Sequence, residues 1–341
     1  MTSIATPGRR VPATLEMVAA EAGVSRSTVS RVVNKSPSVS PDVVDSVSAA
    51  IRKLNYVPNR AARSLAIRQT MAVALVVPEE TSRFFGDPYF AAVIEGIMSR
   101  LDESDYVLNL LVASSDPGHK TTRYLLGGNV DGALVVSHHR TGQSFGEVSS
   151  LIPVVFGGRP VGSNEGEPYY VDVDNVAGGR VAADRLLRQG HRRIATITGP
   201  LDMPGGIDRL RGWQDALREA GLSAELAATG DFTPGGGARA MAELLDRDPH
   251  IDAVFAASDL MAVGAIATLR QRGISVPGDI AVIGYDDSPA AVSGPVQLTT
   301  VSQPSVEMGA RMADMLLQLL RGEQPHVPHI LQTRLMVRDS A

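Results

Sequence analysis

Several side chains that could form specific hydrogen bonds lie on a short helical stretch near the start of the chain. The segment from Arg26 to about Val33 presents Arg26, Ser27, Ser30 and Arg31 on its polar side, opposite valines that can pack inward. Arginine pairs bidentately with guanine O6 and N7, and serine hydroxyls suit either bases or phosphates. These residue types in this pattern favour the reading of base edges in duplex DNA. The alternative is an ordinary helical domain with polar surface residues.

Neighbouring helical patterns would position that stretch. Thr14 is a good N-cap for a first helix that Gly23 ends, and Ser25 caps the second helix. Ser40-Pro41-Asp42 has the residue types of a third helix start. The apolar residues of the first and third helices recur at helical spacing: Leu15, Val18, Ala19 and Ala22, then Val44, Val47, Ile51 and Leu54. The sequence therefore predicts a helix-turn-helix domain whose second helix enters the major groove.

The charge of the chain is unevenly distributed. Residues 1–70 carry ten basic and four acidic side chains, a formal charge of +6, although the whole chain of 341 residues carries −5. A basic head on an acidic body suits a polyanion binder, because the head neutralises phosphates while the body resists sticking to them. Charge alone does not exclude the alternative that the surface is unevenly charged and has no such role.

Composition excludes several classes of protein. Hydrophobic residues make up 44% of the chain and charged residues 20%, as in globular proteins. The sequence contains no cysteine, which excludes disulfides and thiolate metal sites. No apolar run reaches the roughly 20 residues of a membrane span, and no apolar segment of a signal peptide follows Arg9 and Arg10. We expect a cytoplasmic, nucleoid-associated protein with no membrane partner.

From Met71 onward, apolar runs of strand length alternate with helical stretches. The runs include MAVALVVP, DGALVVS, RIATITG, AVFAAS and IAVIGYDD. Continuous Val, Leu and Ile runs bounded by Gly or Pro are typical of parallel strands covered on both faces. The pattern predicts two doubly wound α/β sheets, and ligands in such folds bind beyond the carboxyl ends of the strands.

Two motifs suggest chemistry that their context does not support. Residues 142–146 match the G-x-S-x-G nucleophile elbow, but that elbow needs its serine directly after a strand, and four residues intervene here. His138 and His139 are adjacent, so on an extended chain they point in opposite directions and make a poor metal site. Either histidine could instead reach the cleft, because both follow a strand end. We expect no enzyme activity, no metal and no cofactor.

The segment 13–66 resembles, without a gap, the DNA-binding head of the lactose-repressor (LacI/GalR) family, including AGVS, TVSRVVN and LNYVPNRAARSLA. The resemblance implies that three residues occupy the principal base-reading positions: Arg26, Ser27 and Arg31. It places four others at supporting contacts: Thr14, Ser25, Ser30 and Asn34. In the family, the stretch matching Pro58–Ala66 is a hinge that becomes helical on DNA, where the leucine matching Leu65 wedges between base steps.

The body resembles the family's periplasmic-binding-protein-like core. The matching stretches include VDVDNVAGG, GHRRIATITG and ASDLMAVGAIATLRQRGISVPGDIAVIGYDDS. The resemblance implies that Arg209 donates paired hydrogen bonds to ligand hydroxyls, Phe232 stacks on a sugar face and Asp286 accepts hydroxyl hydrogen bonds. Tyr89 and Phe90 lie where the family often places a second stacking aromatic, and Phe90 is the residue we expect to fill that place. Sugars need such planar polar partners and an aromatic wall. Phe232 as a core residue and Asp286 as the cap of a turn remain alternatives, and Ser258 departs from the asparagine of some relatives.

The predicted architecture is a small all-α helix-turn-helix head followed by a two-lobed α/β core with two doubly wound parallel sheets. The predicted domain bounds are as follows: a flexible N-terminus at 1–12, the DNA-binding domain at 13–57, a hinge at 58–70, and a core at 71–341. Within the core, the near lobe takes 71–171 and 303–331, and the far lobe takes 172–302 and 332–341.

The predicted function is a transcriptional repressor that a small effector, a sugar, releases from a pseudopalindromic operator in double-stranded DNA. A homodimer is expected rather than a tetramer, because no leucine-heptad tail follows LLQLLRGE. One alternative is a corepressor-dependent regulator with a purine-like ligand. Another is a solute-binding or sugar-modifying protein, which shares the fold of the body but leaves the basic head unexplained.

Overall fold

The structure is a computed structural model, and it describes residues 13–33, 36, 38–56, 69–112, 114, 116, 118–140, 145–160 and 168–341. The chain divides into two compact units, residues 1–70 and residues 71–341, which are described separately. Asn34, Leu65 and the predicted hinge segment 58–66 lie outside the described residues.

The described residues of the head form three helices. They are α1 (Leu15–Ala22), α2 (Arg26–Val33) and α3 (Pro41–Leu54). Val18, Val29 and Val47, one from each helix, are fully buried and pack together. The helix α1 starts where Thr14 Oγ1 accepts a hydrogen bond from Met17 N at 3.3 Å, and it ends at Gly23, whose φ of 65° is accessible to glycine at little cost. The short turn from Gly23 to α2 makes the predicted helix-turn-helix.

In the part of the body that the structure describes, twelve strands form two sheets. In chain order they are β1 (Ala72–Val77), β2 (Val107–Val112), β3 (Gly132–Val136), β4 (Val154–Gly157), β5 (Tyr169–Val173), β6 (Ile194–Thr198), β7 (Ala227–Thr229), β8 (Ala253–Ala256), β9 (Ala281–Asp286), β10 (Thr299–Ser302), β11 (His329–Leu331) and β12 (Arg334–Met336).

The strands divide into two six-stranded sheets. The first has the order β11-β5-β4-β3-β1-β2 and is wholly parallel. The second has the order β12-β10-β9-β8-β6-β7 and is parallel except for β12. We call the halves of the body that carry these sheets the first lobe and the second lobe. The predicted lobe boundary between residues 171 and 172 falls within β5, which pairs with β11 through Val173.

Helices cover both faces of each sheet, as the buried apolar runs require. In chain order they are α4 (Thr81–Gly86), α5 (Pro88–Leu101), α6 (Lys120–Tyr124), a π-helical turn (Leu125–Asn129), α7 (Gly146–Leu151), α8 (Asn175–Arg188), α9 (Pro204–Glu219), α10 (Pro234–Arg247), α11 (Asp259–Gln271), α12 (Ala290–Ser293) and α13 (Ser305–Leu320). None of the helices in these described ranges is long and apolar enough to cross a membrane.

Two glycines allow α8 and α9 to cross at very short range. A Cβ atom on Gly179 would lie 2.2 Å from the carbonyl oxygen of Arg209, and one on Gly212 would lie 2.0 Å from that of Val176. Contacts this short do not occur for real Cβ atoms, so both positions need glycine. Because Arg209 belongs to α9, this crossing fixes where the Arg209 side chain begins.

Candidate functional site

The polar side of α2 is the candidate surface for base reading. Arg26, Ser27 and Arg31 are exposed, whereas Ser30 is half-buried. The Arg26 side chain is 72% exposed and its Nε lies 3.2 Å from Glu16 Oε1. An exposed ion pair of this kind contributes little to stability, so Arg26 can leave Glu16 for a base or a phosphate at small cost.

Two of the predicted supporting residues act as helix caps in the described head. Ser25 Oγ accepts a hydrogen bond from Thr28 N at 3.1 Å, and Thr14 Oγ1 accepts one from Met17 N. Capping fixes the start of each helix, and both hydroxyls remain on the exposed surface. A DNA contact by either residue stays a prediction, as it does for Asn34 and Leu65.

A cleft of about 670 Å³, partly open to solvent, lies at the carboxyl ends of the strands in the body. This is the place where doubly wound sheets bind ligands. Both lobes contribute to it: Ser137 follows β3, Asp172 is the penultimate residue of β5, Phe232 follows β7, and Asp286 ends β9. The predicted position of the ligand site therefore coincides with a real cavity.

Arg209 is the most firmly held side chain of the cleft. It is buried, and its Nε donates to Asn175 Oδ1 at 2.9 Å, its Nη1 to the Ala257 carbonyl at 2.7 Å, and its Nη2 to Gln303 Oε1 at 3.1 Å. Its guanidinium carbon lies 3.6 Å from the centroid of the Tyr285 ring. The planar guanidinium group of Arg209 is thus held in place before any ligand binds, which lowers the entropic cost of binding.

Asp286 lies beside the guanidinium group of Arg209. Its Oδ1 is 3.7 Å from Arg209 Nη1 and accepts a hydrogen bond from Gln303 Nε2 at 2.9 Å. Burial raises the pKa of the Asp286 carboxyl well above its ordinary value, although the charge of Arg209 opposes the rise. The carboxyl group accepts hydroxyl hydrogen bonds when ionised and donates one when protonated, so it suits a polyhydroxylated ligand in either state.

Phe232 supplies an aromatic wall. Its ring is 8% exposed and packs against the apolar core of the second lobe, as the alternative predicted, but it also lines the cleft. The guanidinium carbon of Arg83 lies 5.0 Å from the ring centroid and that of Arg209 lies 5.8 Å from it. Phe90 does not take the place expected for a second stacking aromatic. It is 2% exposed and packs in the apolar core of the first lobe, whereas the adjacent Tyr89 lines the cleft.

Several lining residues were not singled out in the sequence. Asn175 and Gln303 hold Arg209, and Arg83 reaches the cleft from α4. Asp172 is buried, which raises its pKa, and its carboxylate accepts bonds from Val173 N and Arg159 N. Asp172 is the penultimate residue of β5, Asn175 comes just after β5, and Gln303 comes just after β10. Their positions at the ends of predicted strands could therefore have indicated these three residues.

The two adjacent histidines have different surroundings. His138 lines the cleft, and its Nε2 lies 3.1 Å from the Arg159 carbonyl. His139 Nε2 lies 3.1 Å from Glu79 Oε1, and its Nδ1 lies 2.9 Å from Asp202 Oδ2. No group of three or more metal-ligating side chains occurs among the residues that the structure describes.

Comparisons with known proteins agree with this geometry. The sequence pattern of bacterial regulatory proteins of the lacI family matches residues 14–59, and that of a periplasmic binding protein-like domain matches residues 183–341. The HTH-type transcriptional regulator CelR of Thermobifida fusca is 48% identical over 339 residues, covering 97% of this chain and 99% of that protein. The chain belongs to the lacI family.

Further relatives and structures support the assignment. The ribose operon repressor of Escherichia coli K12 is 37% identical and covers 89% of this chain and 92% of its own. A structure of a CelR-cellobiose complex has 46% identity, a TM-score of 0.76, and coverage of 96% and 100%. The lac repressor dimer bound to operator and the anti-inducer ONPF has 28% identity, a TM-score of 0.84, and coverage of 97% and 99%. The predicted family, fold class and role as a DNA-binding transcriptional regulator are confirmed.

Proposed function

We propose that this lacI-family regulator is a homodimeric repressor that a neutral sugar releases from a pseudopalindromic operator. The observation that carries the sugar assignment is the combination of the Arg209–Asp286 pair with the Phe232 ring in one cleft. The Arg209 guanidinium and the Asp286 carboxyl group can hydrogen-bond to vicinal hydroxyls, and the Phe232 ring can stack on the C–H face of a sugar. We assign no catalytic reaction, and we place the protein in the cytoplasm with the DNA it regulates.

Cellobiose is the first effector to test. The CelR relative is 48% identical, and a structure of CelR holds cellobiose. The cleft is lined by residues of both lobes and is partly open to solvent, as a small-molecule site needs to be. A sugar that touches both lobes prefers the arrangement in which they are close, and such a preference is what a ligand needs in order to shift a population.

The head would contact DNA through α2. Arg26, Ser27 and Arg31 would read bases, with Thr14, Ser25, Ser30 and Asn34 in support and Leu65 as a wedge in the minor groove. Two copies related by a twofold axis would place two α2 helices on two half-sites, which accounts for a pseudopalindromic operator. The exposure of Arg26 and Arg31 supports this assignment.

A DNA-binding titration tests the proposal. Operator sequences are first selected from random duplexes with the full-length protein, and the operator affinity is then measured by gel shift with cellobiose, glucose, ribose and hypoxanthine. We expect at least one neutral sugar to weaken operator binding tenfold or more. If no sugar changes the operator affinity, the proposal that a sugar is the effector is contradicted. Tighter binding with hypoxanthine would favour a corepressor mechanism instead.

A further inference from the structure

Arg83 is a cleft residue that the proposed sugar contacts do not yet include. It belongs to α4, the short helix between β1 and α5, and its side chain is only 12% exposed although the helix lies at the surface. The neighbouring Phe85 is 78% exposed. The Arg83 side chain turns inward and lines the same cavity as Arg209 and Asp286.

Glu79 holds Arg83 in this position. Arg83 Nη1 donates to Glu79 Oε1 at 2.5 Å, and the same oxygen accepts from Ser137 Oγ at 2.5 Å and lies 3.1 Å from His139 Nε2. Burial tends to raise the pKa of Glu79, but its contacts with His139, Arg83 and Ser137 hold the pKa below the ordinary value. Glu79 is therefore ionised, and its charge compensates that of the guanidinium.

The guanidinium of Arg83 reaches from the first lobe to the second. Its central carbon lies 5.0 Å from the centroid of the Phe232 ring, and Nη1 lies 3.9 Å from Met203 Sδ. Nε is buried and no described residue accepts a hydrogen bond from it. A buried donor without an acceptor is unfavourable. Because Nε has almost no accessible surface, a ligand beside Phe232 would instead meet the part of the Arg83 side chain that lines the cavity.

We propose that Arg83 binds the effector by donating hydrogen bonds to hydroxyl oxygens of a neutral sugar, and that Glu79 is its positioning residue. This inference rests on the proposed sugar effector. Arg83 and Arg209 come from opposite lobes, so a sugar that accepts from both joins the lobes across the cleft. That contact is available only when the lobes are close, and it makes the ligand favour the closed arrangement.

The charges of the cleft specify a neutral ligand. Glu79 cancels the charge of Arg83, and Asp286 lies beside Arg209. Two further carboxyl groups, those of Asp87 and Asp172, line the cavity. Carboxyl groups therefore lie beside both guanidinium groups of the described lining. A sugar phosphate would bring its charge close to several carboxyl groups, and we expect it to be rejected.

Isothermal titration of the full-length protein with cellobiose and with a panel of glucose, maltose and ribose tests the inference. For the neutral sugar that binds the wild type, Arg83→Gln is expected to weaken binding by roughly ten- to a hundredfold, the usual effect of losing hydrogen bonds from a charged donor. The matched control is Arg100→Gln, since Arg100 is a half-exposed arginine of α5 paired with Asp314. It is expected to leave the affinity unchanged.

Deoxy derivatives of the bound sugar separate a direct contact from a structural effect. If Arg83 contacts one hydroxyl, the loss caused by Arg83→Gln nearly disappears for the derivative that lacks that hydroxyl and persists for the others. An equal loss for every derivative would show that Arg83 merely supports the cleft, and no loss for any sugar would also overturn the inference. A wild type that binds no neutral sugar would overturn the proposed function itself.

Glu79→Gln supplies a second readout. The variant leaves the guanidinium uncompensated, so we expect weaker binding of the neutral sugar and a gain in affinity for glucose 6-phosphate of about tenfold. A purely structural role of Glu79 predicts no gain for the phosphorylated sugar. Weaker binding of both ligands would contradict the charge argument.

Discussion

His139 Nδ1 lies 2.9 Å from Asp202 Oδ2, which joins a residue after β3 in the first lobe to a residue after β6 in the second lobe. The other ring nitrogen lies 3.1 Å from Glu79. A neutral imidazole has one N–H and donates to only one carboxylate, whereas the protonated ring donates to both. Both hydrogen bonds of His139 therefore form at once only when the ring is protonated.

Stability of the body is expected to depend on the protonation of His139. The hydrogen bond to Glu79 raises the pKa of His139 above its ordinary 6.5, with burial opposing and Asp202 assisting. A raised pKa for a base means that the stabilisation is full below pH 6.5 and is lost as the pH rises through the raised value. We expect His139→Asn to cost about 1 kcal/mol at low pH and less at high pH.

Thermal unfolding of the wild type and His139→Asn across a pH series measures this difference. Burial also raises the pKa of Asp259, to about 6, but that group titrates in both proteins and cancels in the comparison. A difference between the two proteins that stays constant from about pH 5.5 to about pH 9 would rule out the titration of His139 as its cause.

Substitution of Asp286 is expected to separate sensing from DNA binding. Asp286→Asn keeps the shape of the side chain and an oxygen for Gln303 Nε2, but it loses the negative charge beside Arg209. We expect sugar affinity to fall by roughly 1.5–3 kcal/mol, with operator affinity in the absence of sugar unchanged. Titration calorimetry and gel shift measure the two quantities, and a variant that responds to sugar like the wild type would remove Asp286 from the site.

The close crossing of α8 and α9 is expected to be sensitive to a single methyl group. Gly179→Ala places a Cβ 2.2 Å from the Arg209 carbonyl, so α9 must shift and carry Arg209 with it. We expect a loss of about 1–3 kcal/mol in the free energy of unfolding together with weaker sugar binding. Chemical denaturation and calorimetry measure these effects.

Gly235→Ala is the matched control for this substitution. Gly235 is exposed in the first turn of α10, and its Cβ would meet nothing nearer than Arg239 Nη1 at 3.4 Å. Alanine is the better helix former, so the control is expected to be neutral or stabilising by up to about 1 kcal/mol. Equal destabilisation by the two substitutions would contradict the steric argument.

The exposed arginines of α2 are expected to carry sequence selectivity. Arg26→Ala and Arg31→Ala each remove a side chain suited to bidentate guanine contact, worth about 1–3 kcal/mol of discrimination. We expect the double variant to lose most of its preference for the selected operator over random duplexes while still binding DNA weakly. Fluorescence anisotropy with both duplexes, and with Arg321→Ala as a control outside the head, measures the preference; retained selectivity would refute the assignment.

The amino-acid pattern determined the helices of the head and the succession of strands and helices along the body. The polar side of α2 follows from helical periodicity alone, because residues three and four apart share a face. The buried strands follow from continuous apolar runs such as AVALVV in β1, all six of whose residues are buried. Arg209, Phe232 and Asp286 were found through the family resemblance, and the structure brings all three to one cavity.

Tertiary structure decided which of two neighbouring aromatic residues faces the cleft. Tyr89 and Phe90 are consecutive on α5, and both are apolar enough to pack inward, so periodicity does not choose between them. The docking of α5 on the first sheet buries Phe90 and leaves Tyr89 at the cavity. It also decided the contacts of Glu79 with Ser137 and His139, which lie 58 and 60 residues further along the chain. Such contacts depend on the order of strands in a sheet, which local periodicity does not encode.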